Sequence, residues 1–207
     1  MKWDGLLEML GPEAVFESSI LQAGDVDAVD IGRQLSRWVK TGRLVQLRRG
    51  LYMLGARYRK TIPHPFLLAN RIRQASYVSL QSALEHYGLI PEYVPVVTSI
   101  TTRRPCRFST PAGEFTFRHV RTPLFFDYRR MKLGDGQSAF VATPEKALLD
   151  LLYLTPESDD RAYLAELRIQ NAGALDMNRL AQVAERMESR KVARAAKRLA
   201  RVIAEAG

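Results

Sequence analysis

Hydrophobic spacing in the first third of the chain changes from a helical period to a strand period at one point. Residues 31–40 place apolar side chains at i, i+4, i+7 and i+8, namely Ile31, Leu35, Trp38 and Val39. This spacing predicts an amphipathic helix, with Asp30 as its N-cap and Gly42 just after its end. Residues 44–47 and 51–54 then predict two short strands, with Gly50 in the turn between them.

The residues before this segment predict two further helices. Residues 3–10 keep apolar side chains at i, i+3, i+4 and i+7, and Gly11-Pro12 ends that helix. A second, short helix is expected around Ile20 and Leu21. Residues 24–27 are expected to form a loop that leads into the helix predicted over residues 31–40. Three helices followed by a hairpin predict a winged helix-turn-helix over residues 1–60.

The remainder of the chain predicts a second, larger domain. Ile62-Pro63-His64-Pro65 favours a stiff, extended connection, so the expected domains are residues 1–60 and 65–207. Helices are predicted over residues 66–74, 79–87, 144–154, 159–171, 176–188 and 191–205, with Ser79 and Thr143 as N-caps. Strands are predicted over residues 94–102, 106–109, 114–120, 125–133 and 139–142. The predicted fold class is therefore α+β: an N-terminal winged helix-turn-helix followed by a mixed α/β domain with C-terminal helices.

Composition narrows the class of protein. The chain has 207 residues, of which 46% are hydrophobic, enough for a substantial core. Its single cysteine, Cys106, allows no internal disulfide and favours a reducing compartment. No run approaches the roughly 18 apolar residues of a membrane span. We therefore expect a soluble, cytoplasmic protein with no membrane partner, and the net charge of +9 favours an anionic partner.

Charge is concentrated on the predicted helix and hairpin. Residues 31–60 contain nine basic residues and no acidic one, whereas the thirty residues before them contain seven acidic residues and one basic residue. Such a polarised domain orients itself on a polyanion. Because period, turn chemistry and charge agree over one contiguous segment, we predict binding to double-stranded DNA. The alternative is a solvated helix beside an ordinary surface hairpin. The candidate DNA contacts are Arg33, Gln34, Ser36, Arg37, Lys40, Arg43, Arg48 and Arg49.

These candidates have different expected roles. The predicted helix is expected to contact the major groove and its phosphates through Arg33, Gln34, Arg37 and Lys40. The predicted hairpin is expected to contact DNA through Arg48 and Arg49. An arginine can make a bidentate contact with guanine, whereas a lysine usually positions the protein on phosphate.

The predicted C-terminal helix is also basic on one side. Its exposed side offers a possible second contact with DNA or a protein partner through Arg190, Arg194, Lys197, Arg198 and Arg201. The alternative is a packed terminal helix with a solvated charged face.

Little in the sequence indicates catalysis. The three histidines are scattered, no His/Cys spacing indicates a metal site, and no Gly-rich phosphate loop is present. The protein is expected to have no cofactor and not to be an enzyme. Lys146 and Asp150, at i and i+4, predict an ordinary ion pair on a helix face. The weaker alternative is a nuclease with metal-bound carboxylates, drawn from Asp127, Asp135, Glu145 and Asp150 together with Lys146.

Three segments together resemble AbiEi-type antitoxins, a family of type IV toxin–antitoxin systems. The first is Arg-Gln-Leu-Ser-Arg-Trp-Val-Lys-Thr-Gly-Arg-Leu with Leu-Arg-Arg-Gly-Leu-Tyr, at residues 33–44 and 47–52. The second is Tyr-Val-Ser-Leu-Gln-Ser-Ala-Leu-Glu-His-Tyr-Gly-Leu, at residues 77–89, and the third is Ala-Thr-Pro-Glu-Lys-Ala-Leu-Leu-Asp-Leu-Leu, at residues 142–152. The resemblance covers nearly the whole chain, and residues 24–30 depart from the family pattern.

This resemblance implies an antitoxin that represses its own promoter, at inverted repeats, through the winged domain. It implies a second domain that counteracts a nucleotidyltransferase-like toxin, with or without direct contact. A stand-alone winged-helix regulator with a ligand-sensing second domain is the alternative.

Overall fold

The chain folds as an α+β protein with two sheets, which confirms the predicted class at this level. The computed structural model describes residues 2–22 and 28–206. Its helices are α1 (Trp3–Leu10), α2 (Ala28–Lys40), α3 (Pro65–Ile72), α4 (Leu80–His86), α5 (Pro144–Leu154), α6 (Arg161–Glu166), α7 (Met177–Arg186) and α8 (Arg190–Ala206). Its strands are β1 (Val15–Glu17), β2 (Leu44–Arg48), β3 (Leu51–Leu54), β4 (Ser76–Val78), β5 (Val96–Thr101), β6 (Cys106–Thr110), β7 (Gly113–His119), β8 (Tyr128–Gly134) and β9 (Gln137–Ala142).

The first sheet is small and antiparallel, in the order β1-β3-β2. The predicted hairpin is confirmed as β2 and β3, and Gly50 supplies the positive φ of +80° that the turn requires. Helices α1 and α2 share one apolar cluster with this sheet, made of Leu6, Leu10, Phe16, Leu21, Ile31, Leu35, Trp38, Leu44 and Leu54.

Three details of this region differ from the sequence prediction. Helix α2 begins at Ala28, so Asp30 lies in its first turn instead of capping it. The expected second helix is a single 3₁₀ turn, Ser18–Gln22, and it follows strand β1, which was not predicted. Most of the predicted loop at residues 24–27 cannot be compared, because residues 23–27 lie outside the described part of the chain.

The second sheet has the order β6-β7-β5-β4-β9-β8. Strand pairs β5–β7 and β4–β9 are parallel and the others are antiparallel. Helices α3, α4 and α5 pack on this sheet, and α7 and α8 pack on α5. None of the helices within residues 2–22 and 28–206 is long and apolar enough to cross a lipid bilayer.

Side-chain caps fix where several of these helices start. The Thr143 hydroxyl accepts from the Lys146 amide at 3.3 Å, as predicted, and Asp176 caps α7 through the amides of Asn178 and Arg179. Ser79 precedes α4 but makes no side-chain cap, because its hydroxyl donates to a carboxylate elsewhere. The helix predicted over residues 159–171 is shorter, ending at Glu166.

The two predicted domains pack on each other through apolar side chains. Val15, Leu47, Leu51 and Met53 of the first sheet belong to the same contiguous core as the second sheet and its helices. The three-stranded sheet therefore packs on α1 and α2 with some of its side chains and on the second domain with others. The hairpin packs against the second domain instead of projecting into solvent.

Candidate nucleic-acid interface

Helix α2 presents a basic face opposite its buried stripe. Ile31, Leu35 and Trp38 are buried, with at most 8% of each residue exposed. At about 100° per residue, the opposite side of the helix carries Arg33, Ser36, Arg37 and Lys40, all of them exposed. Four of the predicted contact residues therefore share one accessible helix face.

The basic residues on this face differ in whether they have an acidic partner within the chain. Arg33 Nη1 lies 3.3 Å from the Asp30 carboxylate in an exposed pair. Within the described residues, Arg37 and Lys40 have no acidic partner. Both lie in the last turn of α2, where cations interact favourably with the helix dipole. Arg37 and Lys40 are therefore the strongest positive charges available on this face.

Two other predicted contacts are less exposed than the residues of this face. Gln34 is half-buried. Arg43 is also half-buried, and its guanidinium lies 5.3 Å from the centre of the Trp3 ring, a cation–π contact. Arg43 therefore helps to join the start of α1 to the segment that follows α2.

The structure gives Arg48 three hydrogen-bond partners within the chain. Its Nε donates to the Ile72 carbonyl at 2.8 Å and its Nη2 to the Glu17 carboxylate at 2.6 Å. Its Nη1 donates to the Arg49 carbonyl at 2.9 Å. Each of the three guanidinium nitrogens is thus bonded within the chain, so Arg48 has a role in the fold. Its contact with DNA stays a prediction.

Arg49 remains exposed at the hairpin turn. The turn itself is held close to β1, because the Ser18 amide donates to the Gly50 carbonyl at 2.8 Å. The hairpin therefore offers one exposed arginine at a fixed position instead of a long mobile wing.

A close backbone approach fixes α2 relative to the hairpin. The Arg43 amide donates to the Trp38 carbonyl at 2.9 Å, and the Gly55 amide donates to the Arg43 carbonyl at 2.7 Å. A Cβ atom at position 55 would lie 2.1 Å from the Gly42 carbonyl oxygen. Only glycine at position 55 permits this contact.

Helix α8 divides the predicted C-terminal basic set. Arg194 Nε pairs with the Asp159 carboxylate at 2.9 Å, and Arg198 donates to the Asp159 carbonyl. The hydrogen bond from Arg194 lowers the pKa of Asp159. Two of the five residues thus attach α8 to Asp159. The other three, Arg190, Lys197 and Arg201, are exposed and have no such contact among the described residues.

The second and third segments of the family resemblance meet in a buried polar network that the sequence analysis missed. Lys146 and Asp150 form an ion pair in which both side chains have 0% exposure. Lys146 Nζ donates to the Tyr77 hydroxyl at 3.0 Å, and the hydroxyls of Tyr77 and Ser79 donate to Asp150 at 3.0 and 2.8 Å. The prediction of an ordinary helix-face pair is therefore wrong.

Burial controls the electrostatics of this network. It raises the pKa of Asp150, against the lowering effects of Lys146, Ser79 and Tyr77, and it also raises the pKa of Tyr77. The neighbouring acids are engaged too, since Arg179 pairs with both Asp127 and Glu145. In the described parts of the chain, no three His, Cys, Asp or Glu residues are grouped so that they could hold a metal ion.

No protein-family model and no curated protein matches this chain.

Proposed function

We propose that the chain is a transcriptional regulator that binds double-stranded DNA of its own promoter through helix α2. The observation that carries this proposal is the exposed face of Arg33, Ser36, Arg37 and Lys40, opposite a fully packed stripe. A helix of 13 residues is about 20 Å long and is of a size that enters the major groove.

The order of elements supports a winged helix-turn-helix. Helix α1, strand β1, a 3₁₀ turn, helix α2 and the β2–β3 hairpin follow one another, and the sheet order is β1-β3-β2. In this proposal α2 is the recognition helix, and Arg49 in the turn contacts the DNA backbone. Arg37 is the leading candidate for a guanine contact, because it has no acidic partner among the described residues.

The test is binding of the purified chain to DNA from upstream of its own gene and to random DNA, across a salt series. We expect a preference for the upstream DNA and a slope of about −3 in log K against log salt, if Arg33, Lys40 and Arg49 each neutralise one phosphate while Arg37 contacts a base. Equal affinity for both DNAs would mean that α2 binds polyanions without reading the DNA sequence, and it would contradict the proposed promoter specificity.

We further propose that the second region acts as an antitoxin against a nucleotidyltransferase-like toxin. This part rests on the resemblance of residues 33–44, 47–52, 77–89 and 142–152 to AbiEi-type antitoxins. The buried Lys146–Asp150 pair then has a structural role, because neither side chain is accessible to a substrate. We accordingly propose no catalytic role for this pair.

The antitoxin test separates neutralisation from repression. The toxin gene is expressed from an unrelated promoter together with the full chain or with the Arg37→Ala variant. Rescue of growth by both proteins is expected, since α2 is assigned to DNA alone. Loss of rescue in a folded Arg37→Ala protein would contradict this division of labour.

A ligand-responsive regulator is the second candidate function. A cavity of about 420 Å³ lies between the two regions, lined by Glu13 and Val15 on one side and by Pro63, Arg71 and Arg130 on the other. A molecule bound there would contact both regions, and DNA affinity that changes on its addition would favour this candidate.

A further inference from the structure

A groove opens in the second sheet where strands β4 and β9 separate. These strands share one register pair, Val78 with Val141. The Asn70 side chain then lies between them, donating to the Ser76 carbonyl at 3.3 Å and accepting from the Phe140 amide at 2.6 Å. A cavity of about 610 Å³ lies beside this gap, within the range of 300–1,000 Å³ typical of small-molecule sites.

One side of the groove is aromatic and is lined by Phe125, Tyr128 and Phe140. The Tyr128 ring is stacked on Tyr77, with centroids 4.7 Å apart and planes at 12°. Phe140 is 46% exposed and stands at 90° to Tyr128. A flat ring bound among these side chains could adopt the stacked and edge-to-face arrangements that aromatic rings favour.

The other side of the groove is basic. Arg71 and Arg130 line it, and none of the described residues around this cavity is acidic. Arg130 Nε donates to the Ser138 hydroxyl at 2.7 Å, and Arg71 Nη2 donates to the Val15 carbonyl at 2.9 Å. These bonds hold both guanidinium groups in place and use one nitrogen of each.

The groove continues past the arginines into the 420 Å³ cavity between the two regions. The two cavities share Leu67, Arg71, Arg130 and Ser138. Acidic side chains, Glu13 and Asp135, line only the second cavity. A ligand that extends from the 610 Å³ cavity toward the 420 Å³ cavity would therefore contact the aromatic rings at one end and the two arginines at the other.

We propose that this groove binds a nucleotide, with its base parallel to Tyr128 and its phosphate on Arg130 and Arg71. A nucleotide has a planar base, which stacks on aromatic side chains. It also has a phosphate, which accepts charge-assisted hydrogen bonds from arginine. A free mononucleotide and the terminal nucleotide of a single strand share this chemistry. The site is distinct from the α2 face, so the inference does not depend on the proposed binding of duplex DNA.

The test is calorimetric titration of the full chain with the four ribonucleoside triphosphates, their monophosphates and single-stranded hexaribonucleotides. Uridine, adenosine and ribose 5-phosphate serve as fragments that lack the phosphate or the base. At least one nucleotide or hexanucleotide is expected to bind with Kd below about 1 mM. The fragments are expected to bind at least about tenfold more weakly, because each forgoes one half of the groove.

Two substitutions locate the binding at the groove. Phe140→Ala and Arg130→Gln alter exposed side chains and are each expected to weaken binding by about tenfold. Arg107→Gln is the matched control, since Arg107 is an exposed arginine on β6, at the opposite edge of the same sheet. Arg107→Gln and Arg37→Ala are expected to leave nucleotide affinity unchanged, which separates this site from the α2 face.

Two results would overturn the proposal: no binding of any nucleotide or hexanucleotide to the folded chain, or binding that neither Phe140→Ala nor Arg130→Gln weakens. The remaining comparison identifies the source of the ligand. A hexanucleotide that binds at least about tenfold more tightly than its mononucleotide supports the end of a single strand, and similar affinities support a free nucleotide.

Discussion

The Arg48 guanidinium donates to the Glu17 carboxylate at 2.6 Å, joining the hairpin to strand β1. The same side chain donates to the Ile72 carbonyl at the end of α3. Arg49, the next residue, is exposed at the turn. Two adjacent arginines with the same chemistry therefore have different roles, one within the fold and one toward solvent.

Substitution of these neighbours separates stability from DNA binding. Arg48→Ala is expected to lower the free energy of unfolding by about 1–3 kcal/mol, because it removes hydrogen bonds to a charged group and to a carbonyl. Arg49→Ala is expected to change it by less than about 0.5 kcal/mol, while weakening binding to all DNA equally. Denaturant unfolding and DNA titration of both variants measure the two effects. Equal stability of the two variants would contradict the assignment of Arg48.

Acid is expected to weaken the start of α3. His64 Nδ1 accepts from the Phe66 amide at 3.1 Å, and burial, assisted by the nearby His86, lowers the pKa of His64. The unfolded chain then binds the proton more readily, so stability is lost as the pH falls below about 6.5 toward the lowered value. His64→Asn keeps a capping oxygen without this titration.

The measurement compares thermal unfolding midpoints at pH 7.5 and 5.5 for the wild type and His64→Asn. The wild type is expected to lose more stability on acidification than the variant does. Identical losses would show that His64 does not contribute to the pH dependence.

The buried pair of Lys146 and Asp150 predicts strong non-additivity. Lys146→Met leaves an unpaired buried carboxylate and is expected to lower the free energy of unfolding by about 3–5 kcal/mol. Adding Asp150→Asn removes that charge and keeps an oxygen for the hydroxyls of Tyr77 and Ser79. The double variant is therefore expected to recover at least half of the loss in urea unfolding. Additive losses would mean that the two side chains are not coupled.

Two glycines predict effects of opposite sign. Gly55→Ala places a methyl group against the Gly42 carbonyl oxygen, 2.1 Å away, and is expected to destabilise the chain by about 1–3 kcal/mol. Gly32→Ala lies on α2 with nothing within 4 Å of the added carbon, and should stabilise it by about 0.5–1 kcal/mol. Thermal unfolding of both variants measures the difference. A neutral Gly55→Ala would contradict the close approach of the two segments.

Local signals account for what the sequence could predict. Gly50 fixed the hairpin turn, and Thr143-Pro144 fixed the start of α5, because turn and capping chemistry acts within a few residues. Strands β1 and β4 were missed, since each is three residues long and is defined by distant pairing partners. The exposed face of α2 followed from periodicity alone.

Long-range contacts account for what the sequence could not show at the candidate sites. The spacing of Lys146 and Asp150 is the same in an exposed pair and in a buried one, so spacing could not distinguish them. The signal lay in their surroundings, because the other nine residues of α5 include only one further charge, Glu145. Arg48 gave no local signal, since its partners Glu17 and Ile72 are 31 and 24 residues away.

Competition binding of Arg37→Ala tests most directly the claim that α2 reads DNA sequence. Upstream DNA and random DNA compete for the wild type, for Arg37→Ala and for Arg121→Ala, which removes an exposed arginine of the second region. The preference for upstream DNA is expected to fall by about 1–3 kcal/mol in Arg37→Ala and to persist in Arg121→Ala. Undiminished preference in Arg37→Ala would show that this arginine on α2 does not read the sequence.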